Sequence, residues 1–287
     1  METYLKLAIQ KKGRLSEQTT KLLTECGIKF FNAGNGKLTS KSHNFPVELL
    51  FLRDDDIPAF VASGVADIGV VGENEVEEKN KKLKISKRLG FAKCRLSIAG
   101  PKNSKYNSVK DLEGKKIATS YPVIVEKFLK KNKVKATVEE ISGSVEIAPA
   151  IGLAEYICDL VSTGSTLVQN GLKELEVILE SEALLVTNKK LSPEKQPLLD
   201  ELLFRIDSVQ SGKNKKYILL NAPEKALAKI SKILPGSKAP TQTPLAKKGW
   251  YSVQSVIDEK DFWNIVGNLK EAGAEDILVL PIEKIVA

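Results

Sequence analysis

At 287 residues, 42% hydrophobic and 28% charged, the chain is long enough for two or three packed domains, and no apolar run approaches the roughly 20 residues that would cross a bilayer. A single histidine, His43, and three scattered cysteines, Cys26, Cys94 and Cys158, exclude multi-histidine zinc sites, a disulfide framework and any histidine-driven nucleophile with a recognisable flanking motif. The net charge of +8 is dispersed over Lys79-Asn80-Lys81-Lys82, Lys130-Lys131-Asn132-Lys133 and Lys213-Asn214-Lys215-Lys216 without interleaved aromatics, so neither nucleic acid nor a membrane is an expected partner.

Met1-Glu2-Thr3 leads directly into an alternating strand over 4–9, with neither the apolar core of a signal peptide nor the arginines of a transit segment, and the expected location is cytoplasmic. Lys11-Lys12-Gly13-Arg14 makes a basic turn. Ser16 reads as the N-cap of a helix that runs to Glu25 and stops at Gly27. A strand over 47–52 ends on Arg53-Asp54-Asp55-Asp56, Pro58 starts a short helix closed by Gly64, and a strand over 67–71 precedes Gly72-Glu73-Asn74. This β-α-β-α-β order marks an α/β layer.

A second α/β unit follows. Strands are expected over 95–99 and 116–119, then a helix from Pro122 to about Asn132, a strand over 135–141 and a helix capped by Gly143 or Ser144 that runs through Ala154. The strand over 156–161 meets a hydroxyl-rich turn and a helical segment over 167–172. Residues 177–187 read as one long apolar strand crossing back to the first unit, and 193–209 as a helix. Beyond a polar linker at 211–216 come a strand over 217–221, a helix over 223–234 stopped at Pro235-Gly236, strands over 241–246 and 251–257, a helix over 259–272 and a strand over 276–280. The order β-α-β-β-α-β predicts a ferredoxin-like module.

The most informative stretch is Asp159-Leu160-Val161-Ser162-Thr163-Gly164-Ser165-Thr166-Leu167. Four hydroxyls and a glycine between a strand and a helix have the composition of a phosphate cradle, since unpaired amides of a helix start point at the same spot. A sugar 5-phosphate fits such a cradle, and Asp159 stands where it can take ribose hydroxyls. The same composition also suits a plain strand–turn–helix junction with Ser/Thr caps. There is no GxxxxGK[ST] for a P-loop. A two-lobed solute-binding protein is the main non-enzyme alternative, but it needs a leader or lipid-attachment cysteine and has no use for this loop.

Taken together, Lys11-Lys12-Gly13-Arg14-Leu15, Arg53-Asp54-Asp55-Asp56-Ile57-Pro58, Gly64-Val65-Ala66-Asp67-Ile68-Gly69 with Gly72-Glu73-Asn74, Lys93-Cys94-Arg95-Leu96, Ala118-Thr119-Ser120-Tyr121-Pro122, Ser142-Gly143-Ser144-Val145-Glu146 with Ala148-Pro149, and Asp159 to Thr166 resemble, in order and spacing, the ATP phosphoribosyltransferases of histidine biosynthesis. The resemblance extends over essentially the whole chain and includes the family's long form, with its C-terminal regulatory domain. It implies an α/β fold: a two-lobed, periplasmic-binding-protein-like catalytic region plus a ferredoxin-like regulatory domain. Residues 1–99 and 178–210 would form lobe I, 100–177 lobe II with the phosphoribosyl loop, and 211–287 the regulatory domain.

The resemblance further implies transfer of 5-phosphoribosyl from phosphoribosyl pyrophosphate (PRPP) to N1 of ATP, with inversion and release of pyrophosphate. Mg2+ would arrive mainly on that pyrophosphate. By the same resemblance Ser162, Thr163, Gly164, Ser165 and Thr166 cradle the 5-phosphate, and Asp159 and Glu146 meet the ribose. Lys11, Arg14, Arg95 and Glu73 serve ATP or the pyrophosphate, with Arg14 also in the catalytic set. From the residues alone, Glu146 equally suits a first-turn helix charge, Lys11 and Arg14 a solvated turn, and Arg95 an interdomain ion pair. Asp54, Asp55 and Asp56 look like a metal cluster, yet consecutive side chains diverge and at least one suits a helix cap. Feedback inhibition by L-histidine would use Asn221, Ser237, Thr241, Ser255 and Asp276 in a homo-oligomer, a dimer that assembles to a hexamer. Asn221 departs from an expected aspartate and Ser237 from an expected apolar residue, which puts the strength of inhibition in doubt.

Overall fold

In the computed structural model, residues 3–30, 38–234 and 239–286 are described. The chain divides into two compact units, Met1–Leu199 and Asp200–Ala287. Unit 1 begins with β1 (Leu5–Gln10), α1 (Arg14–Glu25), β2 (Thr39–Lys41), β3 (Val47–Leu52), α2 (Ile57–Ser63), β4 (Ile68–Gly72), α3 (Glu73–Lys79) and β5 (Leu83–Arg88). It continues through β6 (Cys94–Pro101), β7 (Lys116–Thr119), α4 (Pro122–Asn132), β8 (Thr137–Glu140), β9 (Tyr156–Val161), α5 (Ser165–Gln169), β10 (Leu172–Ser181) and β11 (Ala183–Asn188).

These strands make two sheets. The first has the order β2-β3-β1-β4-β11-β5, with β1, β3 and β4 parallel; the second has the order β10-β6-β9-β7-β8, with β9, β7 and β8 parallel. The central strands are covered on both faces, which is why they read as nearly continuous apolar runs. Leu5, Leu7, Ala8 and Ile9 of β1 are buried, as are Ile157 and Cys158 of β9. Gly69 lets α2 lie against β4, because a Cβ there would meet Ile57 Cγ2 at 2.6 Å. The chain enters the second sheet at β6 and returns to the first at β11. Ligands of open α/β sheets gather outside the carboxyl ends of the strands. Here those ends lead into Lys11 and Arg14, Asp54 and Glu73 in lobe I, and into Tyr121, Glu146 and the Ser162–Thr166 loop in lobe II.

Several elements differ from expectation. The first helix starts at Arg14 with Gly13 as N-cap, and Ser16 is buried inside it rather than capping it. Gly13 has φ 100°, a conformation that favours glycine. The helix expected after Ser144 is only a 3₁₀ turn over Val145–Ile147, since Pro149 and Gly152 interrupt any continuation. The single strand expected over 177–187 is two strands, β10 and β11, that break at Glu182 and join different sheets. Three elements, β2, α3 and β5, have no counterpart in the sequence reading.

Unit 2 contains most of α6 (Gln196–Gly212), then β12 (Lys215–Pro223), α7 (Leu227–Ile233), β13 (Thr241–Pro244), β14 (Trp250–Asp258), α8 (Glu259–Glu271) and β15 (Glu275–Pro281). Its antiparallel sheet has the order β13-β14-β12-β15, the ferredoxin-like arrangement. Ile218, Leu220, Ala222, Val253 and Ile257 form the sheet side of the core, beneath Ile230 of α7 and Leu269 of α8.

Candidate active site

The hydroxyl-rich loop is anchored at both ends. Val161 and Leu167 are buried, whereas Ser162, Thr163, Ser165 and Thr166 are exposed. Gly164, at φ 81°, turns the chain into α5. Thr163 Oγ1 and Ser165 Oγ lie 3.0 Å apart, so neighbouring hydroxyls face one another across the turn. Such a ring of hydroxyls and early-helix amides suits a compact anion.

Lobe I reaches this loop directly. Arg14 Nη1 donates to Ser162 Oγ at 3.0 Å. Lys11 is exposed on the same basic turn, which its backbone N–H fastens to the Leu52 carbonyl at 2.8 Å. Arg95, for which the resemblance implies a nucleotide contact and the residues alone suit an interdomain ion pair, forms its ion pair between neighbouring strands of one sheet. Its guanidinium forks onto Glu174 of the adjacent strand β10, and Nη1 reaches the Ser162 carbonyl at 3.4 Å. Ser97 Oγ donates to Glu174 at 2.7 Å and completes that cluster beneath the loop.

Asp159 is half-buried near the end of β9, where its Oδ1 accepts from Leu160 N at 2.7 Å. Burial pushes its carboxyl above the usual range, the backbone hydrogen bond opposes this, and the neighbouring Glu146 raises it further. The two carboxylates therefore share one polar wall. Asp54 is half-buried in a 3₁₀ turn over Asp54–Asp56, and Asp56 takes the expected N-cap position of α2 without a side-chain hydrogen bond to the helix.

Glu73 has its two oxygens engaged by Arg88, at 2.5 and 2.7 Å, and Arg88 also reaches Glu182 Oε1 at 3.1 Å. This trio ties the end of β4 to the crossover between β10 and β11. Next to Asn74 of the Gly72-Glu73-Asn74 motif lies Glu75, which sequence reasoning missed. Glu75 is 6% exposed and Asn74 5% exposed. Asn74 Nδ2 donates to Glu75 Oε1 at 3.1 Å and to Tyr121 Oη at 3.3 Å, and Asn74 Oδ1 accepts from Ser181 Oγ at 2.9 Å. Burial and the charge of Asp54 push the Glu75 carboxyl up to about 7. Burial, Glu75 and Asp159 push the Tyr121 phenol well above its ordinary value. Glu75 lies among four glutamates over 73–78, and no spacing signal singles it out.

In unit 2, Asn221 Nδ2 donates to Asp276 Oδ2 at 3.0 Å. Thr241 pairs with Gln254, itself opposite Leu219, and so shares the face of the sheet that carries Asn221. Ser255 alternates with Val253 and Ile257 on the helix-covered face, 6% exposed, and among the described residues its hydroxyl has no hydrogen-bond partner. The expected inhibitor set is thus divided between two faces, and Ser237 lies outside the described residues.

A model of the ATP phosphoribosyltransferase family matches residues 53–208, and a model described as HisG, C-terminal domain, matches residues 212–284. An ATP phosphoribosyltransferase of Cytophaga hutchinsonii is 58% identical over 286 residues and covers 100% of both chains. One of Parabacteroides distasonis is 59% identical over 282 residues, 98% of this chain and 99% of its own. A solved chain from the ATP phosphoribosyl transferase (HisG:HisZ) complex of Thermotoga maritima superposes with a TM-score of 0.60 at 29% identity, covering 70% of this chain and 98% of that one.

Proposed function

The chain belongs to the ATP phosphoribosyltransferase family, pentosyltransferases of histidine biosynthesis, and we propose that it moves the 5-phosphoribosyl group of PRPP onto N1 of ATP, releasing pyrophosphate. The observation that carries this reading is the meeting of Arg14 from one lobe with the Ser162–Thr166 loop of the other, beside the Asp159–Glu146 wall. In this reading the loop holds the 5-phosphate, and Asp159 and Glu146 take the ribose hydroxyls. Arg14 and Lys11 meet phosphate oxygens. Arg95 acts through Glu174 and the Ser162 carbonyl by fixing the loop, and Glu73 acts only through the Arg88 clamp.

The bond from ribose C1 to pyrophosphate breaks as adenine N1 attacks the opposite face, so positive charge builds on the sugar and negative charge on the leaving group. Alignment of the two substrates and charge placed in advance are what such a step needs. Asp159 and Glu146 face the developing ribosyl cation, and Arg14 and Lys11 the departing oxygens. Among the described residues, no three His, Cys, Asp or Glu side chains converge as a metal cage. The donor set suits Mg2+ that enters on the pyrophosphate and keeps most of its ligands on phosphate and water. Bound there, the ion neutralises the leaving group.

Regulation is part of the proposal. L-histidine would bind unit 2 on the face that carries Asn221, Thr241 and Asp276, where Asp276 supplies the carboxylate that Asn221 lacks. The same module would assemble a homo-oligomer, dimer to hexamer, of a cytoplasmic enzyme. Among the described residues no helix is long and apolar enough to cross a membrane. The test is pyrophosphate release by the purified chain with Mg2+. Release that needs both ATP and PRPP and falls when L-histidine is added supports the whole reading. Release indifferent to histidine removes the regulatory part, and no release removes the transferase.

A further inference from the structure

Helix α3 belongs to lobe I by its place after β4, yet several of its polar groups reach lobe II. Glu78 Oε1 accepts from Val123 N and Oε2 from Ile124 N, both at 3.0 Å. Those are the first free amides of α4: Pro122 has no N–H, and Tyr121 at the N-cap offers no side-chain bond. The carboxylate that a helix start prefers is therefore supplied from the other lobe, 45 residues earlier in the chain. One turn back, Asn74 bonds Tyr121 Oη and also Ser181, the last residue of β10. The Glu77 carbonyl accepts from Lys127 Nζ of α4 at 3.4 Å. At its start, Glu73 is clamped by Arg88, which also holds Glu182 in the crossover.

The Asn74 and Glu78 contacts meet the start of α4 at Tyr121 to Ile124, and the Tyr121 amide is in turn bonded to Thr119 Oγ1 at the end of β7, at 2.9 Å. Thr119 in turn pairs with Cys158 of β9, the residue before Asp159, so the start of α4 is tied through β7 to the strand that carries the lobe II wall. A displacement of α4 relative to α3 would thus move the Asp159 wall relative to the turn that carries Arg14.

We propose that α3 is an interlobe strut, and that Glu78, by capping α4 from the opposite lobe, is a positioning residue that sets the separation between the Asp159 wall and the Arg14 turn. This rests on the reading of that cleft as the phosphoribosyl-transfer site. Glu78 touches no reacting atom in this scheme; it fixes the geometry in which two substrates held by different lobes meet.

The test uses the full chain with Glu78→Ala, Glu78→Gln and, as control, Glu77→Gln, whose side chain is exposed. Amide exchange at Val123 and Ile124 reads the cap without reference to activity. Steady-state kinetics with PRPP read the positioning. Glu78→Ala is expected to speed exchange at both amides by roughly fivefold or more and to lower kcat/KM for PRPP by roughly tenfold. Glu78→Gln, which keeps one acceptor oxygen, is expected to fall between it and the parent, and Glu77→Gln to match the parent in both. If Glu78→Ala does not fold, Glu78→Gln carries the same comparison. Unchanged exchange in the Glu78 variants would overturn the strut. Faster exchange with parental PRPP kinetics would overturn the positioning role. A parent chain without transferase activity would instead remove the underlying reading of the cleft, while the exchange result would still decide the strut.

Discussion

Arg14 and Ser162, 148 residues apart, are joined by a 3.0 Å hydrogen bond from Arg14 Nη1 to Ser162 Oγ. One comes from the turn after the first strand of lobe I, the other from the loop after β9 of lobe II. A phosphate that displaced the serine hydroxyl would meet a guanidinium already in place, with two donors set for two oxygens. Arg14→Ala is expected to lower kcat/KM for PRPP by roughly 100-fold with little change in thermal stability, because the arginine is exposed. Arg14→Lys should recover only part of the loss, since an ammonium cannot fork. Parental kinetics in Arg14→Ala would remove the residue from the site.

Asp159→Asn should separate chemistry from folding. The asparagine oxygen can still accept from Leu160 N, and the half-buried negative charge beside Glu146 is removed. The melting temperature is therefore expected to hold or rise, while kcat falls by roughly 100- to 1,000-fold as the ribosyl cation loses its counter-charge. A parallel loss of stability and activity would instead assign Asp159 to the fold.

Glu75 makes stability depend on pH. Its carboxyl is raised from 4.5 to about 7 by burial and Asp54, with a smaller push from Asp55 and opposition from Tyr121 and Lys79. A raised folded value means that the folded chain holds this proton more tightly than the unfolded chain. The stabilising effect is complete below the unfolded value and is lost as pH rises through about 7. The shift corresponds to something on the order of 3 kcal/mol. Glu75→Gln, which mimics the protonated form, should melt with the parent at pH 5 and roughly 5 °C above it at pH 8.5. Equal melting temperatures at both pH values would contradict the burial argument.

Asn221→Asp would set two carboxylates against each other where Asn221 now donates to Asp276. Without ligand the variant should melt a few degrees lower than the parent at pH 7, and close to it at low pH, where the pair protonates. L-histidine should restore stability and inhibit at lower concentration than in the parent, because its ammonium would meet the added charge. Calorimetric melting with and without histidine measures both effects.

Much of this architecture was legible because central strands carry their signal locally. The apolar runs of β3 and β9, bounded by turns, and the β-α-β-β-α-β order of unit 2 needed no tertiary information. The loop after β9 stood out by composition. The misreadings have a common physical origin. The polar Glu180-Ser181-Glu182 separates the apolar stretches 177–179 and 183–186, but so short an interruption does not show that the chain changes sheets there. Nothing in the spacing of Glu73-Asn74-Glu75-Val76-Glu77-Glu78 reveals that Glu73 pairs with Arg88, that Glu75 accepts from Asn74, or that Glu78 caps α4. Arg95 suits an ion pair from the residues alone, but its partner, Glu174, is 79 residues away on the neighbouring strand. Partners at such separations are a property of topology, which the residue pattern does not encode.

The central claim is tested most directly by the structure of the product. Purified protein, ATP, PRPP and Mg2+ are incubated together and the nucleotide product is examined by nuclear magnetic resonance. The account predicts a new bond between ribose C1 and adenine N1, with inverted configuration at C1 and one pyrophosphate released per bond. Recovery of unchanged ATP, with PRPP intact or merely hydrolysed, would contradict it.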